Sequence, residues 1–392
     1  MRAAGGAVRP NERRRRGIEA ARPVALLALL ALLGAVTPAP ALGQTAAREM
    51  GAGATFERYG FSDPELTGVE SLVLFTTPFG AGAWVGPRLR LEARGAFANG
   101  TLTLADGSEA SLSGLTDTEL RAAFALVPDA LGLEVVGYLP SGTSTFDEGE
   151  AQVAGLVAAD LLPLAIAQWG TGGAVAVGLT GTRRFGEVGV GVTASYRASG
   201  AFDPIDGTDF RYQPGSELRL RAALDLDVGR SKLSFAGGMR SFSEDLGDEQ
   251  NLFQTGDRME LMSTLSFPAG LRGAGAVYGA LVDREAGTFL DRADVGTPAE
   301  NLVLLGGVLR LPIGRHRVLP RLDARVFSRD EGGGAGWIAG GGASMEVLLE
   351  NATLVPNLGV RLGSIETEDG SSSGTTGFLL GLTIRFSGGG AR

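Results

Sequence analysis

The chain has no cysteine among its 392 residues and a single histidine, His316. Without cysteine there is no disulfide framework, no lipid-modified cysteine and no thiolate metal site. One histidine, set between Arg315 and Arg317 in what reads as a short turn, leaves little from which to build a serine hydrolase or a related membrane enzyme. No enzyme, cofactor or metal is expected. Long apolar runs are also scarce. Beyond residue 43 the nearest candidate, Leu156 to Trp169, is broken by Asp160, Pro163 and Gln168. If this chain crosses a membrane, it does so in strands.

The first 22 residues hold seven Arg, and the apolar stretch Val24 to Val36 follows. Small residues Ala41 and Gly43 then stand at the places a signal peptidase needs for a cut before Gln44. This order reads as a secretory signal peptide over 1–43, too short in its apolar part for a membrane anchor of about 20 residues. The run Arg13 to Arg16 lacks the surroundings of a twin-arginine signal. Taking the leader's seven basic and two acidic residues from totals of 35 and 44 leaves 28 and 42, a net charge of −14. Such a surface does not attract nucleic acid.

What is present is period-two alternation. In Glu217 to Val228, Leu218, Leu220, Ala222, Leu224, Leu226 and Val228 alternate with Glu217, Arg219, Arg221, Ala223, Asp225 and Asp227. One face suits lipid and the other water. Similar stretches at 258–267, 317–327, 353–363 and 377–386 run to ten or more residues, longer than the strands of a soluble sandwich and matched to a membrane span. The pattern predicts an all-β, transmembrane, antiparallel up-and-down barrel over 88–386, with about fourteen strands in a range of twelve to sixteen. Short and long connections alternate, and the long ones, near 99–117, 140–171, 198–215, 243–256, 283–300 and 365–374, are assigned to the outside. Residues 44–87 read either as a plug-like segment or as extra strands, and 387–392 as a tail. The last strand presents Phe378, Leu380, Leu382, Ile384 and Phe386 on one side, suited to recognition by barrel assembly machinery. The location that follows is the outer membrane, with its lipid and lipopolysaccharide as partners.

A charge facing mid-bilayer lipid costs roughly 2 to 4 kcal/mol, and this places the charged face inside. The expected lumen-lining residues are Arg90, Arg94, Glu119, Arg121, Glu134, Glu217, Arg219, Arg221, Arg258, Glu260, Arg321, Asp323, Arg325, Glu346, Arg361 and Arg385, together with Arg88, Glu92 and Asp225. Such a mixture either braces the wall by mutual neutralisation or selects among solutes. A barrel of fourteen strands is roughly 28 Å across its backbone.

In Glu148 to Trp169, Val153, Leu156, Val157, Leu161 and Leu164 fall near helical spacing, which predicts an amphipathic helix in an external loop. With Trp169 and Phe146 close by, these residues are candidates for holding a hydrophobic ligand; the alternative is a helix that only packs against the barrel rim. Two segments bear on this choice: Gly114-Leu115-Thr116-Asp117-Thr118-Glu119-Leu120 with Phe124-Ala125-Leu126, and Gly137-Tyr138-Leu139-Pro140-Ser141-Gly142. They resemble the GL-x-DT…LP-[TS]-G pattern of the phenol meta-pathway transporter-like outer-membrane family, which is similar in shape to the long-chain fatty-acid transporters. The resemblance covers about thirty residues. It implies passive uptake of small hydrophobic or aromatic compounds, and for the fatty-acid transporters fourteen strands and an N-terminal plug, although their Asn-Pro-Ala plug signature is not found here.

The glycines at 332–334, 336 and 340–342 lack the Lys-Ser/Thr and the helix of a phosphate loop and read as loop and curved strand. Acidic groups at Asp203, Asp206 and Asp209, at Glu244, Asp245, Asp248 and Glu249, and at Glu366, Glu368 and Asp369 suit solvated loops or divalent-ion bridges to lipopolysaccharide. Three functions stay open: a passive transporter of hydrophobic molecules, a structural or surface-interaction barrel with a charge-filled lumen, and a general diffusion porin. A monomer is expected for each.

Overall fold

A computed structural model describes residues 48–159, 161–270, 272–292, 295–330, 334–366 and 370–388. The expected signal peptide, the tail from 389 and the acidic residues Asp160, Glu368 and Asp369 lie outside the described residues, as do Gly332 and Gly333. Residues 46–392 form one compact unit.

The wall begins with β1 (Arg48–Phe61), β2 (Val69–Val85), β3 (Leu89–Leu104), β4 (Glu109–Leu115), β5 (Thr118–Val127), β6 (Leu131–Leu139), β7 (Ala174–Phe185) and β8 (Val188–Ser199). It continues, past β9 (Tyr212–Gln213), with β10 (Glu217–Val228) and β11 (Ser231–Phe242). Beyond β12 (Asp245–Gly247) and β13 (Gln250–Gln254) come β14 (Arg258–Ala269) and β15 (Gly273–Arg284). After β16 (Gly287–Phe289) and β17 (Gly296–Thr297) the wall closes with β18 (Glu300–Ile313), β19 (His316–Arg329), β20 (Ala335–Leu348), β21 (Ala352–Glu366) and β22 (Ser372–Gly388).

Every wall strand pairs antiparallel with its neighbour, and β22 pairs with β1 from Phe61↔Thr375 to Arg48↔Gly388, which closes the barrel. β4 and β5 both pair with β3 and make one strand interrupted at Thr116–Asp117. The barrel therefore has sixteen strands, which corrects the expectation of about fourteen and widens the backbone cylinder to roughly 32 Å. The two additional strands are β1 and β2: residues 48–85 belong to the wall, not to a plug, and the barrel begins at Arg48 instead of at 88.

In β2 and in the hairpin of β3 and β4 the period-two rule changes. Successive side chains point to opposite faces of a strand, and directly paired residues share a face, so one assignment propagates around the whole circuit. On β2 the inward set includes Leu72 and Leu74, both buried, while Val73 and Phe75 point outward. Both faces are apolar, and alternation disappears. On the hairpin of β3 and β4 the alternation is inverted: Ala98, Leu102, Ala110 and Leu112 are buried inside, whereas Thr101, Thr103, Ser111 and Ser113 face outward. The expected external loop at 99–117 is thus mostly strand, with its polar side outermost.

Below this hairpin the outer face is a belt of large apolar side chains, among them Leu220, Leu261, Leu281, Leu305, Leu358 and Leu380. So much contiguous exposed apolar surface is incompatible with water and requires lipid. Leu305, 61% exposed in the middle of β18, supplies a test. Leu305→Arg is expected to cost about 2–4 kcal/mol in unfolding from lipid vesicles, while Leu304→Gln, on the inner face, should stay within about 1 kcal/mol of the parent.

Seven short connections join strands on one side, such as Gly229–Arg230 between β10 and β11, where Gly229 has φ 60°. A two-residue hairpin turn needs positive φ, which glycine supplies without steric penalty. Long connections gather on the other side. There β9, β12, β13, β16 and β17 form a second, five-stranded sheet from the loops at 200–216, 243–257 and 285–299. Tyr212 donates to Asp245 at 2.6 Å, and the buried carboxylate also accepts the Gly215 N–H at 2.6 Å. Burial, with Asp245 adding to it, pushes the Tyr212 hydroxyl well above its ordinary 10. A raised pKa means that this contribution is fully present below pH 10 and is lost as pH rises further. Hydrogen exchange at the Gly215 amide is expected to stay slow through pH 9 once corrected for intrinsic rate; in Tyr212→Phe it should speed up in a way that does not depend on pH.

Candidate functional site

The barrel encloses two features of functional interest: an inward-folded loop and a charged inner wall. The loop runs from Pro140 to Gly173 between β6 and β7 and carries a helix at Glu148–Ala158. Asp147 caps it in a reciprocal box with Glu150, whose side chain accepts the Asp147 N–H at 3.0 Å. The helix is shorter than the expected 148–169, and Leu161 to Trp169 is irregular chain.

This loop packs on the inner side of the wall. Val153, Val157, Leu162 and Trp169 are buried in one cluster with Tyr59, Leu72, Leu74, Leu102, Leu112 and Ile338, all inward-facing residues of β1 to β4 and β20. Gly100 makes the approach possible: a Cβ there would stand 2.9 Å from Val153 and 3.3 Å from the Trp169 ring. Trp169 Nε1 donates to the Ala98 carbonyl at 3.4 Å, and the buried Glu57 carboxylate accepts the Ala165 N–H at 2.8 Å.

The candidate ligand-holding residues are therefore corrected in position. Val153, Val157 and Trp169 have no free surface, and Leu156, Leu161 and Leu164 pack partly buried against the same cluster. Their apolar side is occupied by the barrel's own wall because the inner faces of β2, of β3 from Ala96 onward and of β4 are themselves apolar and must be covered. Sequence spacing shows an apolar stripe; it does not show what covers it.

The two quoted sequence segments meet at the neck of this loop. Asp117 accepts the Gly142 N–H at 3.1 Å through Oδ1, and through Oδ2 the N–H and hydroxyl of Thr171 at 2.8 and 3.0 Å. The Thr118 N–H donates to Ser141 Oγ at 2.9 Å. Gly142 passes so close that a Cβ would lie 2.7 Å from both Asp117 N and Gly170 Cα. The motif residues thus fasten the neck of the inward loop, with glycine required where backbone meets backbone.

Register places all sixteen expected lining residues on the inner face, with Glu92 and Asp225; Arg88 lies in the 86–88 turn. They number ten Arg and eight acids. Pairing adds eight basic residues, Arg184, Arg197, Lys232, Arg240, Arg284, Arg310, Arg317 and Arg329, and four acids, Glu49, Glu57, Asp227 and Glu300. Among the described residues the inner face then carries eighteen basic against twelve acidic residues, although residues 44–392 are acidic by fourteen. The signal for the missed ones was parity alone: Arg240 is even with Lys232, and Arg284 lies two residues beyond Val282.

The charges form chains rather than isolated pairs. On the loop's side Glu49, Arg90, Glu92, Arg94, Glu119, Arg121 and Glu134 alternate in sign across β1, β3, β5 and β6, with contacts of 2.5 to 3.6 Å. Half a circuit away, Arg219, Arg240, Arg258 and Arg284 are direct cross-strand partners on β10, β11, β14 and β15. Like charges placed opposite one another repel; here Glu217 binds Arg219 at 2.7 Å, Glu260 binds Arg240 at 2.6 Å and Arg258 at 3.1 Å, and Glu300 binds Arg284 and Arg329 at 3.0 Å. Arg310 and Arg317 share Glu346 at 2.7 and 3.2 Å, and Arg361 meets Asp323 at 3.5 Å. The guanidiniums of this wall remain partly exposed, Arg219 and Arg240 by about a third and a quarter of their side chains.

His316 opens β19 on the short-turn side, where its Nδ1 accepts the Leu348 N–H at 3.2 Å. Among the described residues no group of three His, Asp or Glu side chains is placed to hold a metal ion, so the acidic loop residues that are described do not converge on a cation site. No helix among the described residues is long and apolar enough to cross a membrane.

No protein-family model matches this sequence, and no curated protein matches it. Solved structures do show similarity. An anion-selective porin from Comamonas acidovorans is 13% identical, with a TM-score of 0.41, over 87% of this chain and 99% of that one. A loop-deletion mutant of OmpT, an outer membrane protein of Vibrio cholerae, is 11% identical at 0.40, over 88% and 100%. A bacterial polysaccharide outer membrane secretin is 10% identical at 0.44, over 87% and 99%. These likenesses concern architecture alone. The closed wall of even strand number, with both ends of the described chain on the short-turn side and an apolar outer belt, makes this an outer-membrane β-barrel.

Proposed function

We propose that this barrel is a passive diffusion channel for small polar solutes, running as a monomer in a lipopolysaccharide-containing membrane. The observation that carries the reading is the contrast between the two inward features. The wall exposes charged side chains to the interior, whereas the loop's apolar side is sealed against β1 to β4. A polar solute meets a wetted surface without any rearrangement. An apolar compound of the kind implied by the motif resemblance meets no free apolar surface on the loop helix and would need Val153, Val157 and Trp169 to open. The chain of alternating charges also braces the wall, and bracing and conduction are compatible because the guanidiniums keep part of their exposure.

The deciding experiment compares solutes in proteoliposomes together with single-channel recording in planar bilayers. A stable conductance, with swelling in small sugars or amino acids and no preference for apolar tracers, is the expected result. A correctly folded barrel without conductance would establish the structural reading instead, and selective uptake of an aromatic tracer would establish the transporter reading.

A further inference from the structure

The far wall carries a row of arginines. Arg219, Arg240, Arg258 and Arg284 stand directly opposite one another, and Arg221 lies one inward position beyond Arg219 toward the short-turn side. Among the described residues Glu217 binds Arg219, Glu260 binds Arg240 and Arg258, and Glu300 binds both Arg284 and Arg329. Arg221 is exposed and makes no ion pair among the described residues; its side chain lies across Gly238, whose missing Cβ would stand 3.3 Å from Arg221 Cγ. Arg240 follows two residues after Gly238; its Nη2 binds Glu260 at 2.6 Å and its Nε lies 3.8 Å from Glu217, and about a quarter of its side chain stays exposed. A guanidinium donates in a planar fork that matches the oxygens of a carboxylate or phosphate. The fork of Arg221, with the partly exposed side chain of Arg240 beside it on the inner wall, leaves a place for one.

On the opposite side of the lumen the wall acids Glu49, Glu92, Glu119 and Glu134 are engaged by Arg90, Arg94 and Arg121. β11 and β14 lie eight strands from β1 and β2, half the circuit; in the helix of the loop packed on β1 and β2 the exposed acids are the cap Asp147 and Glu148 at its start, and the other exposed residues are Ala151, Gln152, Gly155 and Ala158. The acidity of the whole chain is carried elsewhere, on external-loop residues such as Asp206, Asp209, Asp248 and Glu249, and at 0.1 M salt its field is screened within about 10 Å.

We infer that Arg221 and Arg240, supported by Arg219 and Arg258, form a binding strip for small oxyanions, carboxylates and inorganic phosphate alike, and make the interior anion-selective although the protein as a whole is acidic. The strip specifies the solute class of the proposed channel and rests on that reading for its physiological role, but its binding can be measured without conduction. Zero-current potentials in a tenfold KCl gradient are expected to carry the sign set by chloride; Arg221→Gln should move them toward zero and Arg221→Glu further still. Calorimetric titration of the detergent-solubilised full chain with inorganic phosphate, and separately with succinate, should show binding weakened about tenfold in Arg221→Gln/Arg240→Gln, the equivalent of about 1.4 kcal/mol. Among the described residues Arg221 has no carboxylate partner to strand, and Glu217 and Glu260 keep Arg219 and Arg258, so the variants retain a folded barrel as read by electrophoretic heat-modifiability. Absence of conductance with phosphate binding intact would sink the channel and leave the strip. Conductance that favours potassium, or phosphate binding that is absent from the parent or unchanged in the double variant, would overturn the strip.

Discussion

Replacing Asp117 with alanine is expected to free the inward loop while the sixteen-stranded wall stays closed. Asp117 accepts three hydrogen bonds from Gly142 and Thr171, and its own N–H donates to the Trp169 carbonyl at 3.0 Å. Hydrogen bonds to a charged acceptor contribute about 1.5–3 kcal/mol each, and donors left without a partner in a partly buried site add to the loss. These contributions are not additive, and water reaches part of the neck, so a local loss of about 3–5 kcal/mol is the reasonable scale. It falls on the loop because Asp117 sits at the interruption between β4 and β5 and accepts none of the wall's ladder bonds through its side chain. Trp169 supplies the readout. Of the three tryptophans it alone is buried, at 1% exposure, whereas Trp84 and Trp337 are 39% and 48% exposed. In a background carrying Trp84→Phe and Trp337→Phe, Asp117→Ala should shift the remaining emission to longer wavelength and raise the conductance. Asp117→Asn, which keeps an acceptor oxygen, should do so less. An unshifted emission would mean that the apolar cluster holds the loop without its neck.

Truncating Trp169 itself should have an effect of similar size by a different route. Removing a buried aromatic side chain costs about 3–5 kcal/mol when the surroundings cannot collapse, and the wall strands behind Trp169 are fixed by their own hydrogen-bond ladders. Gly100, which makes room for the ring, would be left facing a void. Trp169→Ala is therefore expected to expose the loop to proteases at Leu161 to Gln168 and to leave urea unfolding of the wall almost unchanged. Trp169→Phe should recover most of the protection, since it keeps the ring contact and loses only the Nε1 bond to Ala98. If both variants unfold with the wall as one transition, the loop is part of the barrel's stability and not a separable element. Filling Gly100 with a larger side chain is a converse test: its Cβ has no space beside Val153 and Trp169, so the loop should lift while Trp169 is still present to report it.

Much of this molecule follows from its sequence because period two is a local property. The facing of β10, where Leu218 to Val228 alternate with Glu217 to Asp227, needs nothing beyond the pleat and the energetic penalty of placing a charge in lipid. The same reasoning put Arg219, Glu260, Arg321 and Arg385 on the inner face, and the alternation of short turns with long loops set the orientation of the strands. Only the tertiary structure decided where that rule changes sign. Leu72, Leu74, Leu102 and Leu112 point inward because a loop from residues 140–173 comes back to cover them, and no window of ten or twelve residues contains both partners of that contact. The number of strands followed from it: once the inner face of β2 is apolar like its outer face, its alternation vanishes, β1 loses a legible partner, and fourteen strands become sixteen. The apolar stripe of the loop helix was legible, and its use was not, since burial against a wall and exposure to a ligand leave the same spacing in the chain. The arginine row was likewise split among four strands, and it became one surface when cross-strand pairing set Arg219, Arg240, Arg258 and Arg284 side by side.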